Sequence, residues 1–207
     1  MNESRSKHII FSRRDFLAGS LALALGSAVG NVSDAFASEG GILSREQIAA
    51  RFEEIRNNYS VGDGLSEADA GFVSQYATSE QIATRGIGGN STFYMTASTV
   101  DAYVIAQGYA YHNGFINYTY GADVSVAKQS GGTPQWMEFS VTCDTYGFAQ
   151  NGESTYLGTH ACSHHVNGQS SFNANLSDGY AGYTVYWNLT LRLSGVSAGG
   201  NYFSGVY

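Results

Sequence analysis

Apolar and polar residues alternate along most of the chain after residue 86. The clearest case is YTVYWNLTLRL, from Tyr183 to Leu193, where Tyr, Val, Trp and Leu fill the odd positions and mostly polar residues fill the even ones. A period of two predicts a strand with one buried face and one solvated face. Weaker runs of the same kind predict further strands over residues 92–97, 102–112, 115–126, 135–148, 155–165 and 170–176.

Turn sequences separate these runs: HNG at 112–114, QSGGTP at 129–134, QNGE at 150–153 and SDG at 177–179. Seven or eight strands at this spacing predict an all-β fold, either an antiparallel β-sandwich or a partly closed barrel. The runs are longer than the usual five or six residues, so we expect bulges at internal glycines.

Residues 42–83 follow a helical period instead, with apolar positions three or four residues apart. Ser44 followed by Gln47 forms a capping-box pattern, and Ser66 followed by Asp69 repeats the device. Two short amphipathic helices are therefore predicted before the strands. We interpret residues 38–85 as a helical spacer or pro-segment and residues 86–207 as the β-sandwich domain.

Residues 1–37 have the pattern of an export signal. The motif SRRDFL, which contains Arg13 and Arg14, precedes an apolar run at 17–29 that is shorter than the roughly 20 residues a membrane span needs. The small-x-small sequence AFA predicts cleavage after Ala37. The paired arginines followed by two apolar residues resemble the twin-arginine family of export signals. This resemblance implies a bacterial protein that crosses the membrane folded and works outside the cell or in the cell envelope.

The charge of the chain limits its partners. The formal net charge is -7, and after residue 86 Lys128 and Arg192 are the basic residues against six carboxylates. Binding to a phosphate backbone needs clusters of lysine and arginine, so nucleic acid is excluded as a partner. No second long apolar stretch follows the signal, so we expect no stable membrane anchor in the mature chain.

Both cysteines of the chain fall in one predicted hairpin, the second of them within HACSHH at 160–165. A two-residue Asn-Gly turn would place Cys143 opposite His160, whereas a four-residue loop would place Cys143 opposite Cys162. The second register brings the sulfurs within reach of a disulfide, and in either register both thiols point to the core. Because exported chains with two cysteines on one face usually bridge them, we predict a Cys143–Cys162 disulfide.

A metal site is the alternative interpretation of the same stretch. His160, Cys162 and His164 alternate along a strand and share one face, and Cys143 would complete a Cys2His2 set suited to zinc or copper. Alternate side chains stand about 6.5–7 Å apart at their roots, which strains tetrahedral closure. The leading prediction is therefore a protein without a cofactor.

Catalytic motifs are missing from the chain. It has no Gly-x-Ser-x-Gly elbow, no P-loop, no dinucleotide fingerprint and no His-Glu-x-x-His. Asp101, Asp123, Glu153 and Asp178 fall at predicted turns or strand ends, where turn chemistry accounts for them. We do not assign catalytic residues, and the sequence leans away from an enzyme.

Tyrosine is the residue type that points to function, since thirteen of the fifteen tyrosines follow residue 86. Tyrosines give rigid contact area with a polar tip, which suits a binding surface. We therefore predict a secreted binding module whose surface, with Tyr109, Tyr111 and Tyr186 as candidates, binds an extracellular glycan, a peptide or another copy of itself.

A pore-forming or toxin-like protein is the alternative function. Long strands poor in charge, such as residues 180–193, reach the 9–11 residues that a membrane strand needs. In that interpretation, the helical segment before residue 86 would be a removable pro-segment.

Overall fold

The structure is a computed structural model that describes residues 43–79, 91–114 and 116–207. The predicted export signal, with Arg13, Arg14 and the cleavage point after Ala37, lies outside the described residues. The helices and strands in chain order are α1 (Arg45–Asn58), α2 (Glu67–Tyr76), β1 (Thr78–Ser79), β2 (Ser91–Thr99), β3 (Ala102–Gly114), β4 (Asn117–Gly131), β5 (Trp136–Phe148), β6 (Ser154–Asn167), β7 (Ser171–Ala181), β8 (Tyr186–Val196) and β9 (Tyr202–Val206).

Two antiparallel sheets form a β-sandwich, as the alternation predicted. The first sheet has the order β1-β8-β5-β6. β9 also pairs with β8, on the same edge as β1 but at the other end of that strand. The second sheet has the order β2-β3-β4-β7. The described strands do not close into a barrel. Every strand expected from alternation is present, and β1 and β9 are additional ones.

The core lies between the two sheets and is filled from the alternate positions of their strands. In β8, Trp187, Leu191 and Leu193 are buried, as the alternation predicted. Tyr183 is 77% exposed because the strand begins three residues later, at Tyr186. The largest fully buried side chains of this core are Tyr120, Phe139, Phe203, Met137, Leu191, Leu193, Val104 and Val126.

Both helices begin at the predicted serines. The Ser44 hydroxyl accepts from the Gln47 backbone N–H at 3.3 Å, and the Gln47 side chain accepts from the Ser44 N–H at 2.8 Å, which is a complete capping box. The Ser66 hydroxyl accepts from the Asp69 N–H at 3.2 Å in the same way. The sequence therefore specifies where each helix begins.

The helices pack against the outer side of the first sheet. Phe52 and Ile55 of α1 are fully buried in a cluster with Tyr146 of β5 and Tyr156 of β6. β1 then adds a short strand to the edge of β8. Residues 43–79 thus belong to one compact unit with the sheets, and their role as a spacer or as a segment removed after export stays a prediction. The pore-forming alternative needs that removal.

Within the residues that the structure describes, neither helix is long and apolar enough to cross a membrane.

The predicted disulfide is wrong. Cys143 lies opposite His160, Cys162 lies opposite Val141, and both cysteines are free thiols. The two cysteines are diagonal neighbours, and diagonals of about 7–8 Å exceed the separation that a disulfide spans. The hairpin itself is present, and both side chains pack on the core as expected.

A bulge explains this register. Phe148 and Ser154 are the last paired residues before the loop at residues 149–153, and the pairing shifts by one residue between Thr145 and Tyr146. Gly158, with a φ of 135°, supplies the left-handed backbone that the extra residue requires. The long loop and the bulge together place the cysteines diagonally.

Candidate functional site

The HACSHH stretch does not form a metal site. His160 is half-buried with its ring stacked on Tyr180 at 4.5 Å between centroids, whereas His164 is exposed beside the ring of Phe172. Among the residues that the structure describes, no three His, Cys, Asp or Glu side chains are placed to hold a metal ion. The alternative of zinc or copper on His160, Cys162, His164 and Cys143 is therefore not supported by the structure.

The thiols are also poor nucleophiles. Burial raises the pKa of Cys162 to about 11, with a smaller contribution from the Asp178 carboxylate. Burial raises the pKa of Cys143 further, and the neighbouring Asp144 carboxylate adds to this rise. Both groups are protonated at neutral pH, and the thiolate is the reactive form of cysteine.

A column of stacked rings joins the two sheets near this stretch. Trp187 stacks on His112 at 4.1 Å, His112 on Tyr118 at 5.2 Å, Tyr118 on Tyr180 at 4.9 Å, and Tyr180 on His160. The His112 Nε2 lies 2.7 Å from the Tyr180 hydroxyl. Burial lowers the pKa of His112 to about 4, so its ring is neutral at pH 7. Trp187, His112 and Tyr118 of this column are buried, and Tyr180 and His160 at its other end are partly buried.

The three predicted binding tyrosines lie on two different sheets. Tyr109 and Tyr111 belong to β3, with their side chains on the outer side of the second sheet. Tyr186 belongs to β8 of the first sheet, packs against the helical cluster and lies 6.3 Å from the ring of Phe148. Tyr109 and Tyr111 therefore share a surface that Tyr186 does not join.

The outward side chains of the second sheet stand in rows that cross the strands, because the register sets residues side by side. We call the surface that these two rows form the outer face. One row is Thr92–Tyr109–Asp123–Asn175, and the next is Tyr94–Gln107–Ser125–Asn173, each read from β2 through β3 and β4 to β7. Each row has a tyrosine on the β2–β3 side, a carboxylate or hydroxyl on β4, and an amide on β7.

An open depression of about 720 Å³ occupies the middle of the outer face. Its polar lining consists of Gln107, Asp123, Ser125, Asn173 and Asn175. The Asn175 Nδ2 donates a hydrogen bond to the Asp123 Oδ1, which fixes the amide and the carboxylate relative to each other. These side chains offer several hydrogen-bond donors and acceptors within a single hollow.

Tyrosines of β3 stand next to residues of this depression, although they do not line it themselves. Tyr109 is 46% exposed and stands directly beside Asp123. Tyr111 lies across β4 and donates from its hydroxyl to the Leu176 carbonyl of β7 at 3.2 Å. The residue beneath its hydroxyl is Gly121, where a Cβ would overlap the Leu176 carbonyl. The Tyr111 ring is thus fixed in place before any ligand arrives.

Two further tyrosines extend this set of tyrosines toward β2. Tyr94 is 56% exposed and Tyr103 is 38% exposed. A hydrogen bond to the Tyr94 side chain raises the pKa of Tyr103, so the two hydroxyl groups are in contact.

The outer face has little charge. Among the lysines and arginines, the second sheet contains Lys128, near the end of β4. Its Nζ donates a hydrogen bond to the Gly131 carbonyl at 2.7 Å. Asp123 is the carboxylate within the depression. The depression is therefore suited to an uncharged polar ligand and lacks the cations that an anionic one would need.

Sequence reasoning missed most of the depression. Asp123 was interpreted as a turn or strand-end residue, but it lies in the middle of β4, and Asp178 likewise lies within β7. The amides that face the depression alternate in the run SFNANL, which identifies a shared side of β7 once the strand is known. That they stand beside Tyr109 and Gln107 depends on the pairing of four strands.

The comparisons with known proteins give no relative: no family model matches the chain, and no curated protein matches it.

Proposed function

We propose that this is an exported protein of the cell envelope or the extracellular medium that binds neutral glycans on the outer face. The observation that carries the proposal is the depression of the second sheet, in which amides and a carboxylate stand beside exposed tyrosine rings. The export part of the proposal rests on the twin-arginine pattern that contains Arg13 and Arg14.

The chemistry of the depression matches that of a sugar. Each sugar hydroxyl both donates and accepts hydrogen bonds, and the amides of Asn173, Asn175 and Gln107 can do both as well. Asp123 accepts from two directions and already has one partner in Asn175. The flat apolar face of a pyranose ring packs on an aromatic ring, and Tyr109 and Tyr111 supply such rings beside the polar groups.

The charge pattern favours neutral over anionic glycans. A uronate or sialate would bring a carboxylate toward Asp123, and no described lysine or arginine lines the depression to offset the repulsion. Desolvating an unpaired charge is costly, so the same argument disfavours phosphorylated ligands.

Affinity screening tests this proposal. The mature protein is run in native gels that contain dextran, mannan, galactan, xylan or starch, with hyaluronan and polygalacturonate as anionic counterparts. We expect at least one neutral polysaccharide to retard the protein and the anionic ones to have no effect. Tyr109→Ser should reduce the retardation, whereas Tyr186→Ser, the same change on the other sheet, should not. Peptide or self-association would appear as binding that neither polysaccharide set competes for, and would contradict the proposal.

A further inference from the structure

A second open depression lies next to the first, around the β2 edge of the second sheet. Its volume is about 440 Å³, and we call it the Arg45 groove, after the residue that α1 contributes to it. Its lining comes from three elements and the chain end: Arg45, Glu46, Tyr94, Met95, Thr96, Ser204, Gly205, Val206 and Tyr207.

Tyr94 connects the two depressions. It lines the Arg45 groove, and it is also the direct cross-strand neighbour of Gln107, which lines the depression of the outer face. Its side chain is more than half exposed. A ligand that lies in the row of Asn173, Ser125 and Gln107 therefore meets the Tyr94 ring next and, beyond it, the Arg45 groove.

The Arg45 groove has the same kind of chemistry as the outer face. The Arg45 guanidinium lies 3.9 Å from the centre of the Tyr207 ring, and the Tyr207 hydroxyl donates to the Thr92 carbonyl at 3.4 Å. The groove thus contains a fixed aromatic ring, hydroxyls from Thr96 and Ser204, and a cation next to the Glu46 carboxylate. Its charges of opposite sign leave it without a net preference for anions.

We propose that the ligand is a glycan chain held along its length, which crosses the second sheet from β7 to β2 and continues over Tyr94 into the Arg45 groove. This inference rests on the proposed function and specifies the form of its ligand. Four strands at about 4.8 Å spacing already span about 14 Å between β7 and β2, before the groove is added. Both depressions are open at the surface, so a chain can enter and leave without ending inside the protein.

Chain length is the variable that tests this inference. Calorimetric titration would use oligomers of two, four and eight sugars prepared from the neutral polysaccharide that retards the protein most. We expect affinity to rise with length. Arg45→Ala should weaken binding of the eight-sugar oligomer roughly two- to tenfold, as the loss of one guanidinium hydrogen bond to a sugar hydroxyl implies, and leave the two-sugar oligomer unchanged. Ser204→Trp, which fills the groove, should have the same selective effect.

Arg192→Ala is the matched control, because Arg192 is a half-exposed arginine that pairs with Glu53 and lines neither depression, although its cross-strand neighbour Val206 lines the groove. It should leave all three affinities unchanged. Equal affinity for all lengths, or no effect of Arg45→Ala and Ser204→Trp on the longest oligomer, would overturn the inference while leaving the proposed function intact. Failure of every neutral polysaccharide to bind would overturn both.

Discussion

At the scale of single residues, the buried His112 should make the stability of the core depend on pH. Its ring is 3% exposed between Trp187 and Tyr118, and the Tyr180 hydroxyl is its hydrogen-bond partner. A charged imidazole there would lose its hydration without gaining a carboxylate partner, which is why burial lowers its pKa to about 4.

Stability should therefore fall in mild acid. The unfolded histidine has a pKa of about 6.5, so between that value and about 4 the unfolded state binds more protons than the folded state does. We expect the free energy of unfolding to drop by about 2–3 kcal/mol as the pH falls through this window. Urea denaturation at several pH values measures it. His112→Phe should remove most of this pH dependence. A smaller part should remain because burial also lowers the pKa of His160.

His165→Gln, which replaces an exposed histidine of β6, is the control for that experiment: because the fall in stability is attributed to His112, it should persist in this variant. The same slope in His112→Phe as in the unchanged protein would contradict the role given to His112.

The two thiols give a second prediction at this scale. Because Cys143 and Cys162 are diagonal neighbours with pKa values raised by burial, they should be reduced and slow to react in the folded protein. Counting thiols with a chromogenic reagent in denatured, unreduced protein should give two. A count of zero would show that the cysteines are bridged and that the hairpin register differs from the structure.

At the scale of elements, the β5–β6 hairpin shows how far sequence patterns reach. Alternation identified both strands and the face on which the cysteines lie, because burial on one side imposes a period of two. The sequence left two registers open, and the observed one, with Cys143 opposite His160, is the one that a two-residue turn would give; the chain reaches it through a longer loop and the bulge at Gly158. The disulfide prediction depended on the other register, in which the two cysteines would lie directly opposite each other.

The helical and strand patterns in the sequence also did not predict the contact between α1 and the first sheet. Arg56 donates from Nε and Nη2 to the two oxygens of Asp144, at 2.9 and 2.8 Å, and the Asp144 side chain is fully buried. Thr159 donates to the same carboxylate. Arg56 lies on the polar side of an amphipathic helix, and only the docked helix shows that its charge is matched by a carboxylate in the sheet.

Removing one partner of this pair should be costly. Arg56→Ala leaves the Asp144 carboxylate buried without its counter-charge, and breaking such a pair typically costs about 3–5 kcal/mol. The exposed pair of Arg192 and Glu53, which also joins α1 to the first sheet, is the control: Arg192→Ala should cost less than about 1 kcal/mol. Chemical denaturation measures both. Equal, small losses would mean that α1 is not held by Arg56 and would favour its role as a removable segment.

At the scale of the whole molecule, the candidate site is a product of strand order. Tyr109 and Tyr111 could be selected from the sequence because tyrosines at alternate positions of a strand share one face. Asn173 and Asn175 could not be selected in this way, because the sequence of β7 alone does not show that this strand pairs with β4 and not with β6. The outer face exists because the chain crosses between sheets and then returns to pair β7 with β4.

The measurement that most directly tests the proposal that the outer face binds glycans is a two-dimensional NMR titration of the mature protein with the neutral polysaccharide oligomer that binds best. The side-chain amide signals of Asn173, Asn175 and Gln107 should shift together with the backbone signals around Tyr109. Signals of α2 and of Tyr186, on the other side of the molecule, should stay in place. Shifts centred on the helices, or no shifts in the three side-chain amides at saturating oligomer, would contradict the assignment of this face.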